Sequence, residues 1–524
     1  MSTTPAGPVP IPAYDWPAHH ARMSPERTAL IDLYSGRRWS YERFDERVGR
    51  LAGYLRFGCG VERGERVAIL APNSTDYLEV QFACTRLGAI FLPLNWRLAV
   101  PELEYIVNDA TPGILIYDRQ FEGEANALRE KCRLESLIDL EGRGGESAYE
   151  RGLSDSQSVF ASTTVYHHDV QTIMYTSGTT GHPKGAMITH GMTFINTVNL
   201  GLPMLINHET VHLSILPLFH TGGLNCYANP VLHAGGTVIV MRTFDPGVCL
   251  RLLADKELGI THFFGVPANY QFMDQHPDFP QTDLSGIRLA GVGGAPVPLS
   301  TLETWARKGV PLQQGFGMTE TSPSVLILSA EMAVKKIGST GLPVLHTEVR
   351  IVDQDGRDVP RGAVGELWVR GPNVTPGYWN RPDANESSFT GGWLHTGDAA
   401  RQDEDGYYYI VDRWKDMYIS GGENVYPAEV ETVLYELPQI AEAAVIGIPD
   451  DRWGEVGRAV IALRAGETLG EGEILAHCAR KLARFKVPKS VFFVAALPRN
   501  ATGKVLKREL RAGEAGGGRR KDER

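Results

Sequence analysis

Apolar side chains recur at helical spacing near the start of the chain. Phe44, Val48, Leu51 and Leu55 are separated by four, three and four residues, and Ser40 precedes them. A serine in this position is a typical N-cap, and the spacing places the four apolar side chains on one face. The pattern therefore predicts an amphipathic helix that begins after Ser40 and packs on a core.

Strand-like and helix-like patterns alternate after this helix. RVAIL (66–70) predicts a strand, residues 75–87 predict a helix, and AIFLPLN (89–95) predicts a second buried strand. Alternation of this kind is typical of a layered α/β domain. GRGGESAYE (142–150) has the composition of a surface loop.

The pattern changes after Asp412. The elements that it predicts there are a helix from Pro427, strands at 443–448 and 459–463, a helix that includes Ile474 and Cys478, and a strand at 490–497. A segment of ~100 residues can form a small α/β unit with its own core. The final segment, EAGGGRRKDER, is predicted to be a solvated tail. We expect an α/β fold with a large N-terminal multi-layer α/β domain and a small C-terminal α/β domain.

Length and charge narrow the class of protein. With 524 residues the chain exceeds one ordinary core, and 43% apolar with 22% charged residues is typical of a globular protein. A formal net charge of −10 argues against a general nucleic-acid or anionic-membrane binder. The six cysteines are scattered without a C-x-x-C pair, which favours a reducing compartment and no structural zinc. No apolar run approaches the ~18 residues of a membrane span, so we expect a cytoplasmic protein with no integral membrane segment.

The stretch MYTSGTTGHPKG (174–185) combines three glycines with four hydroxyl side chains and Lys184. Glycines let backbone N–H groups converge on an anion, and the lysine adds positive charge. It is not a Walker loop, because counting from Gly178 puts Pro183 where the second glycine belongs. A simple turn is the alternative, but the four hydroxyls and the lysine favour phosphate binding.

TSGTTGHPKG resembles the signature of the adenylate-forming enzymes, which include acyl- and aryl-CoA ligases, firefly luciferase and peptide-synthetase adenylation domains. Further family motifs follow in the family's order, and they are PLFHTGG (217–223), GGAPV (293–297), QGFGMTET (314–321), GWLHTGD (392–398), DRWKDMYISGGENVYPAEVE (412–431) and PRNATGK (498–504). The resemblance covers residues 25 to 510. It implies an adenylation domain at 1–412, a hinge at 413–415, a mobile C-terminal domain at 416–511 and a disordered tail at 512–524.

The resemblance also implies a reaction in two halves. A carboxylate attacks the α-phosphorus of ATP, which gives an acyl-adenylate and pyrophosphate. The thiolate of coenzyme A then attacks the acyl carbon and releases AMP. The implied cofactors are ATP and Mg²⁺, with coenzyme A as co-substrate.

In relatives, the glycine-rich loop and Lys184 hold the β- and γ-phosphates, and Thr319 donates to the α-phosphate. Thr176 and Glu320 are the implied magnesium ligands, since this hard ion prefers oxygen. Asp398 and Arg413 would contact the ribose hydroxyls and the neighbouring phosphate. By resemblance, the residues that bind ATP or AMP are Thr176, Ser177, Gly178, Thr179, Thr180, Gly181, Lys184, Gly294, Ala295, Gly315, Phe316, Gly317, Met318, Thr319, Asp398, Arg413 and Lys504.

Lys504 resembles the lysine that the C-terminal domain inserts between the attacking carboxylate and the α-phosphate. Lys415 resembles the residue about which that domain rotates between the half-reactions. Nearby Lys507 and Arg508 are expected to be solvated charges, and a contribution of positive charge towards the nucleotide phosphates is the alternative. With Lys184, Thr319, Glu320 and His220, Lys504 completes the implied catalytic set.

Ser420, Gly421 and Gly422 resemble the segment that lines the coenzyme A tunnel in the second conformation. Small side chains there would let the pantetheine arm pass. One departure from the family is Ile419, which stands where many of these ligases have a lysine that binds AMP. This chain therefore lacks one expected cationic contact.

His220 resembles the residue that gates the acyl pocket, and a hydrogen-bonded core histidine is its alternative. The implied acyl pocket contains His220, Phe264, Val266, Gly291, Gly293, Met318 and Val325. No acidic residue stands where a peptide-synthetase domain would hold an amino group, so an apolar carboxylic acid is expected. We expect a medium- or long-chain fatty acid first, and an aryl-propenoate such as ferulate or coumarate second.

Several alternatives share these motifs. One is an acyl-AMP ligase that loads a carrier protein, another is a luciferase-type oxygenase, and a third is a non-catalytic acyl-nucleotide sensor. Intact Lys184, Glu320, Asp398 and Lys504 argue against the sensor. The expected partners are a small carboxylic acid and coenzyme A, with no nucleic acid, and a homodimer is compatible with the resemblance.

Overall fold

The computed structural model describes residues 10–160, 163–176, 183–295, 297–413, 416–420, 423–450, 452–499 and 505–515. The elements of its first part are α1 (Trp16–Met23), β1 (Thr28–Asp32), β2 (Arg38–Ser40), α2 (Tyr41–Gly53), β3 (Arg66–Leu70), α3 (Thr75–Leu87), β4 (Ile90–Pro93), α4 (Val100–Ala110), β5 (Ile114–Asp118), α5 (Glu122–Lys131), β6 (Ser136–Leu140), α6 (Ala148–Asp155), β7 (Val170–Thr176) and β8 (Lys184–Thr189). The strands predicted at 66–70 and 89–95 and the helix at 75–87 are confirmed. The loop predicted at 142–150 is shorter, because α6 begins at Ala148.

The predicted amphipathic helix is α2. Ser40 is its N-cap, and its hydroxyl oxygen accepts a hydrogen bond from the Arg43 N–H at 3.1 Å. Phe44, Val48 and Leu51 are fully buried in the largest apolar cluster of the N-terminal domain. Burying each such side chain stabilises the fold by about 1.5–3 kcal/mol before the entropy cost.

The next part of the chain continues the α/β alternation. Its elements are α7 (His190–Gly201), β9 (Val211–Ser214), α8 (Thr221–Gly223), α9 (Asn229–His233), β10 (Thr237–Val240), α10 (Pro246–Leu253), β11 (His262–Gly265), α11 (Pro267–Asp274), β12 (Leu289–Val292), α12 (Leu299–Arg307), β13 (Leu312–Gly317), β14 (Ser324–Ile327) and β15 (Leu342–Pro343). One mixed sheet has the order β15–β14–β13–β12–β11–β9–β10–β1–β2, and another has the order β6–β5–β3–β4–β7–β8. Their central strands are parallel, which explains why runs such as RVAIL are apolar throughout.

An antiparallel layer follows these sheets. Its elements are β16 (Glu348–Val352), β17 (Gly365–Arg370), α13 (Pro382–Ser388), β18 (Phe389–Thr390), β19 (Trp393–Gln402) and β20 (Tyr408–Arg413). Leu367 and Val369 of β17 pack with Val325 and Leu326 of β14 in one apolar cluster. This contact ties the antiparallel layer to the end of the large mixed sheet.

The small C-terminal domain contains β21 (Tyr418–Ser420), β22 (Glu423–Val425), α14 (Pro427–Leu434), β23 (Ile440–Asp450), β24 (Gly454–Leu463), α15 (Glu471–Lys481), β25 (Ser490–Phe493) and α16 (Lys507–Ala515). Val430, Leu434 and Ile474 are fully buried in a core that belongs to this domain alone. All the elements predicted here from the sequence are present, although the strand predicted at 490–497 ends at Phe493. Helix α16 continues to Ala515, past residue 512 where the tail was expected to begin, and residues 516–524 lie outside the described part.

The domains meet at the end of β20. The Asp412 carboxylate accepts a hydrogen bond from the Ala428 N–H at 2.8 Å, at the N-terminus of α14. A carboxylate is favoured there because the helix dipole is positive at that end. Residues 414 and 415, which include most of the predicted hinge, lie outside the described residues. Among the helices that the structure describes, none is long and apolar enough to cross a membrane.

Candidate active site

Thr176 and Lys184 are the two ends of the predicted phosphate loop. Thr176 is the last residue of β7 and Lys184 is the first of β8, and the two residues pair across the antiparallel ladder. The Thr176 hydroxyl donates a hydrogen bond to the Lys184 carbonyl at 3.4 Å. The loop itself, with Ser177, Gly178, Thr179, Thr180 and Gly181, lies outside the described residues. The pairing of β7 with β8 nevertheless holds the two ends of this loop side by side.

Lys184 and Glu320 are brought together by a tyrosine. The Lys184 ammonium nitrogen lies 5.0 Å from the centre of the Tyr378 ring, within the range of a cation–π contact. The Tyr378 hydroxyl donates a hydrogen bond to Glu320 Oε1 at 2.7 Å. Glu320 is buried, with 6% of its surface exposed. A cation and a carboxylate that lie 136 residues apart in the sequence (184 and 320) thus contact one side chain.

Backbone hydrogen bonds join the segment that carries Tyr378 to Glu320 and to Gly185, the residue after Lys184. The Thr375 N–H donates to the Glu320 carbonyl at 2.7 Å, and the Trp379 N–H donates to the Gly185 carbonyl at 2.8 Å. The sequence analysis missed Tyr378 and Thr375. Their only local signal is the Gly-Tyr-Trp turn, since their contacts with β8 and Glu320 are long-range.

Residues 315–319 include the predicted contacts with the adenine and the α-phosphate. They are the end of β13 and the start of a short 3-10 turn, Thr319–Thr321, that also carries Glu320. Thr319 is 5% exposed, whereas 315–318 are half-buried. A Cβ at Gly317 would lie 1.8 Å from the Pro323 carbonyl oxygen, so this position requires glycine.

Gly294 and Ala295 follow the carboxyl end of β12, beside the end of β13. Gly294 is exposed and has a φ of +82°, and the nearest atom to a Cβ built on it is Val266 Cγ1 at 3.6 Å. A side chain there would make only an ordinary van der Waals contact with Val266, and the position is exposed. Ligands of parallel α/β sheets bind at the carboxyl ends of the strands, and these residues lie there.

Asp398 and Arg413 lie directly opposite each other on β19 and β20. Asp398 is buried, with 4% of its surface exposed, and its N–H donates to the Thr396 hydroxyl at 3.1 Å. The register brings the backbones of the two predicted ribose residues together. Their contacts with a nucleotide stay predictions.

The predicted residues of the C-terminal domain fall largely outside the described part of the chain. Lys415, Lys504, Gly421 and Gly422 are among the residues that the structure does not describe. Ser420 is described, is 4% exposed and ends β21. The roles of all five in the hinge, in adenylation and in the coenzyme A tunnel stay predictions.

Phe264, Gly291 and Gly293 form one wall of the predicted acyl pocket. Phe264 and Gly291 are paired between β11 and β12, and a Cβ on Gly291 would lie 2.8 Å from Phe264 Cδ2. A Cβ on Gly293 would lie 3.6 Å from Phe264 Cζ. Val266 follows directly at the start of α11. The half-buried Phe264 ring therefore rests against both glycines.

His220 and Val325 occupy different surroundings. His220 is half-buried and caps α8, where its Nδ1 accepts a hydrogen bond from the Gly222 N–H at 3.1 Å. Val325 is fully buried among Leu367 and Val369 of the antiparallel layer. Val325 and Phe264 therefore belong to different apolar clusters.

Lys507 is a correction to the sequence analysis. It was expected to be a solvated charge, but its ammonium group lies 2.8 Å from Glu431 Oε1 and both side chains are 14% exposed. Glu431 also accepts from the Val445 N–H at 2.7 Å. The prediction was wrong because α16 folds back against α14 and β23, which sequence spacing alone does not reveal.

Family models match both parts of this architecture. Residues 17–379 match the model described as AMP-binding enzyme, and residues 429–504 match the AMP-binding enzyme C-terminal domain. The chain belongs to the AMP-binding enzyme family. The resemblance to adenylate-forming enzymes is confirmed, as is the arrangement of a large N-terminal and a small C-terminal domain.

Relatives of this AMP-binding enzyme include several acid–CoA ligases. A feruloyl-CoA synthase of Amycolatopsis sp is 44% identical over 496 residues, which cover 95% of this chain and 98% of that protein. An indoleacetate–CoA ligase of Aromatoleum aromaticum is 40% identical, with 95% and 97% covered. A long-chain-fatty-acid–CoA ligase of Mycobacterium tuberculosis is 35% identical, with 94% and 96% covered.

Solved structures show the same fold. The anthranilate CoA ligase AuaEII in complex with anthranoyl-AMP has a TM-score of 0.89 and 27% identity, and 98% of this chain and 99% of that chain are covered. ATP-bound MatB from Rhodopseudomonas palustris has a TM-score of 0.88 and 33% identity, with 95% and 99% covered. The acid–CoA ligase class expected from the motifs is therefore supported by sequence and by fold.

Proposed function

We propose that this enzyme ligates an aromatic carboxylic acid of the aryl-propenoate type, such as ferulate, to coenzyme A through an acyl-adenylate. The observation that carries the adenylation chemistry is the contact of Lys184 and Glu320 with one tyrosine, Tyr378. The choice of acid is supported by the relatives. By their names, those at 44% and 40% identity act on ring-containing acids, and the fatty-acid ligase is more distant at 35%. The sequence analysis placed a fatty acid first and an aryl-propenoate second, and this proposal reverses that order.

In the first half-reaction, negative charge increases on the phosphates that leave as pyrophosphate. Lys184, held at the start of β8 over the Tyr378 ring, would place a fixed positive charge beside them. A preorganised cation stabilises the transition state more than the ground state, because the leaving group gains charge. Thr319 would donate to the α-phosphate from the turn next to Glu320.

Mg²⁺ is implied by the family, and the residues present fit it. Among the described residues there is no group of three or more His, Cys, Asp or Glu side chains that could hold a metal ion. Magnesium sites on nucleotides commonly use one or two protein carboxylates and complete their shell with phosphates and water. Glu320, oriented by Tyr378 through Oε1, and Thr176 would supply the protein oxygens. When bound, the ion would neutralise phosphate charge.

The second half-reaction would use the other orientation of the C-terminal domain. We assign Lys504 to adenylation, Lys415 to the hinge, and residues 420–422 to the tunnel of coenzyme A. A thiolate would attack the acyl carbon and AMP would leave, so each half-reaction uses its own face of the small domain. A cytoplasmic location and a homodimer stay predictions.

The test is acid-dependent ATP–pyrophosphate exchange followed by thioester formation. The panel contains ferulate, 4-coumarate, cinnamate, benzoate, indoleacetate, octanoate and palmitate. Lys184→Met should abolish exchange, and Lys256→Met, which removes an exposed lysine on the surface near Asp283, is the matched control.

Exchange and thioester formation that are fastest with the cinnamates would support the proposal. Activity only with octanoate or palmitate would overturn the aromatic assignment and restore the fatty acid. Exchange without a thioester would indicate a carrier protein as acceptor or a luciferase-type oxygenase. ATP binding without exchange for any acid would indicate the sensor or an acid outside the panel.

A further inference from the structure

A buried hydroxyl behind the acyl wall has no hydrogen-bond partner among the residues that the structure describes. Tyr227 lies in a π-turn, Leu224–Ala228, and is fully buried. Among the described residues, its hydroxyl oxygen has no hydrogen-bond partner. By contrast the equally buried Tyr270 donates to the Gly291 carbonyl at 2.7 Å. Because an unpaired buried hydroxyl is costly, most such groups have a partner in the functional state.

This hydroxyl lies against the predicted acyl pocket. It is 3.0 Å from the point that a Cβ on Gly291 would occupy. The Tyr227 ring is tilted against the Phe264 ring, with 5.6 Å between centroids. Glycine at 291 therefore leaves no side chain between the Tyr227 hydroxyl and the Phe264 ring, and the hydroxyl is buried beside that ring.

More buried polar atoms that lack a partner in the described part of the chain lie on the sheet face next to Tyr227. Ser214, Phe264, Gly291 and Gln313 are in register across four neighbouring strands, so their side-chain positions share one face of the sheet. On this face, Ser214 Oγ and Gln313 Oε1 are buried and have no partner among the described residues. The Gln313 amide nitrogen is held by the Pro203 carbonyl at 2.9 Å, which fixes the orientation of Oε1.

His212 is the last member of this cluster, and it lies against the Tyr227 ring. Its ring stacks on Tyr227, with centroids 4.8 Å apart and planes at 17°, and its Nδ1 also has no partner in the described part of the chain. Burial, with the neighbouring His262, lowers the pKa of His212 to about 3, and burial raises the pKa of Tyr227 well above its usual value. Both groups are therefore neutral at physiological pH.

A neutral, hydrogen-bonding cluster suits a neutral oxygen rather than a charged group. A phenolic hydroxyl can donate and accept, so it can pair with a tyrosine hydroxyl and with an amide oxygen. The methyl end of a fatty acid would leave these groups unpaired, and sites built to bind a substrate hydroxyl reject analogues that lack it.

We propose that Tyr227 is a specificity-determining residue that binds the ring hydroxyl of a hydroxyaryl acid, with Gln313 and His212 as its neighbours in the same subsite. This inference rests on the proposed aromatic-acid ligase. It narrows the substrate class to aryl acids whose ring carries a hydroxyl at the end away from the carboxylate.

The experiment compares 4-coumarate with cinnamate, which differ only by the ring hydroxyl. The kcat/KM ratio of the two acids is measured for the wild-type enzyme, Tyr227→Phe and Tyr77→Phe. Tyr77 is the matched control, because it is also a fully buried tyrosine whose hydroxyl lacks a partner among the described residues, but it packs against Phe91. The dissociation constants of both acids, measured by calorimetry with ATP absent and present, give a readout that is independent of turnover.

We expect the wild-type enzyme to prefer 4-coumarate over cinnamate at least tenfold in kcat/KM. Tyr227→Phe should bring this ratio close to one, mainly by lowering kcat/KM for 4-coumarate. Tyr77→Phe should keep the wild-type ratio. If the wild-type enzyme uses both acids equally, or if Tyr227→Phe keeps the preference, the subsite holds ordered water only and the inference is overturned while the aromatic ligase stands. A wild-type ratio close to one overturns the inference even if the variant fails to fold, whereas assigning a preference to Tyr227 requires the folded Tyr227→Phe enzyme. Activity confined to octanoate and palmitate would overturn both proposals.

Discussion

The Tyr378 hydroxyl donates a hydrogen bond to Glu320 Oε1 at 2.7 Å, and the Lys184 ammonium group lies over the ring of the same tyrosine. One buried side chain thus contacts both the cation proposed for the departing phosphates and the carboxylate proposed for magnesium. A relationship of this kind makes the position of each group depend on the other, because a shift of the ring moves both contacts.

Tyr378→Phe should slow adenylation about 10- to 100-fold, since a hydrogen bond to a charged group contributes about 1.5–3 kcal/mol. The ring and its contact with Lys184 remain, so the loss should fall on Glu320, and the Mg²⁺ concentration for half-maximal exchange should rise. The measurement is ATP–pyrophosphate exchange across a magnesium titration. Tyr41→Phe is the control, because this buried tyrosine donates to the Gly236 carbonyl at 2.7 Å instead. An unchanged magnesium dependence would contradict the positioning role.

Lys504→Ala should reduce adenylate formation at least 100-fold while thioester formation from supplied acyl-adenylate stays within about threefold of wild type. The reason is that the proposed charge on Lys504 is needed only where the carboxylate and the α-phosphate meet. Arg508→Ala, in the exposed face of α16, should change neither half-reaction. Equal losses in both halves would rule out the assigned role.

Lys507→Met should destabilise the C-terminal domain by about 3–5 kcal/mol, because it leaves the Glu431 carboxylate buried without its cation. Hydrogen exchange of α14 and β23 should report the loss, with the N-terminal domain unchanged. The double variant Lys507→Met/Glu431→Leu should recover part of it, because it removes both charges of the pair, while the Val445 N–H loses its acceptor and Asp412 loses the nearby charge of Lys507. Full destabilisation in the double variant would show that packing, and not charge, explains the effect.

Acid should destabilise the enzyme through buried neutral histidines. Burial lowers the pKa of His190, His233 and His262 to about 4 each. Because these pKa values lie below the unfolded value of about 6.5, their contribution to stability is complete above pH 6.5 and is lost as the pH falls towards 4. Each contributes a slope of up to ~1.4 kcal/mol per pH unit in that window.

Urea unfolding between pH 7 and 5 measures this slope, and His190→Gln should flatten it by the share of one histidine. The matched control is His168→Gln, because the His168 side chain is 71% exposed. The same slope in His190→Gln and wild type would mean that His190 is protonated in the folded enzyme without cost.

Local order was predictable from the sequence. The helix at 75–87 and the cap at Ser40 follow from periodicity and side-chain chemistry within one or two turns, and the structure reproduces both. The motifs around Lys184 and Glu320 likewise indicated phosphate chemistry and the enzyme family. Each of these signals lies within a short stretch of chain, where neighbouring residues determine one another's conformation.

The tertiary structure decided which distant residues meet. Tyr378 joins Lys184 to Glu320, Lys507 is buried against Glu431, and Tyr227 faces Gly291. None of these pairs has a signature in spacing, since strand order and helix docking, not chain distance, set their separation. The sequence by itself therefore determined the elements, the family and the class of reaction. The contacts that orient the charges and shape the acyl pocket exist only after the sheets have packed, because burial is a property of the whole fold.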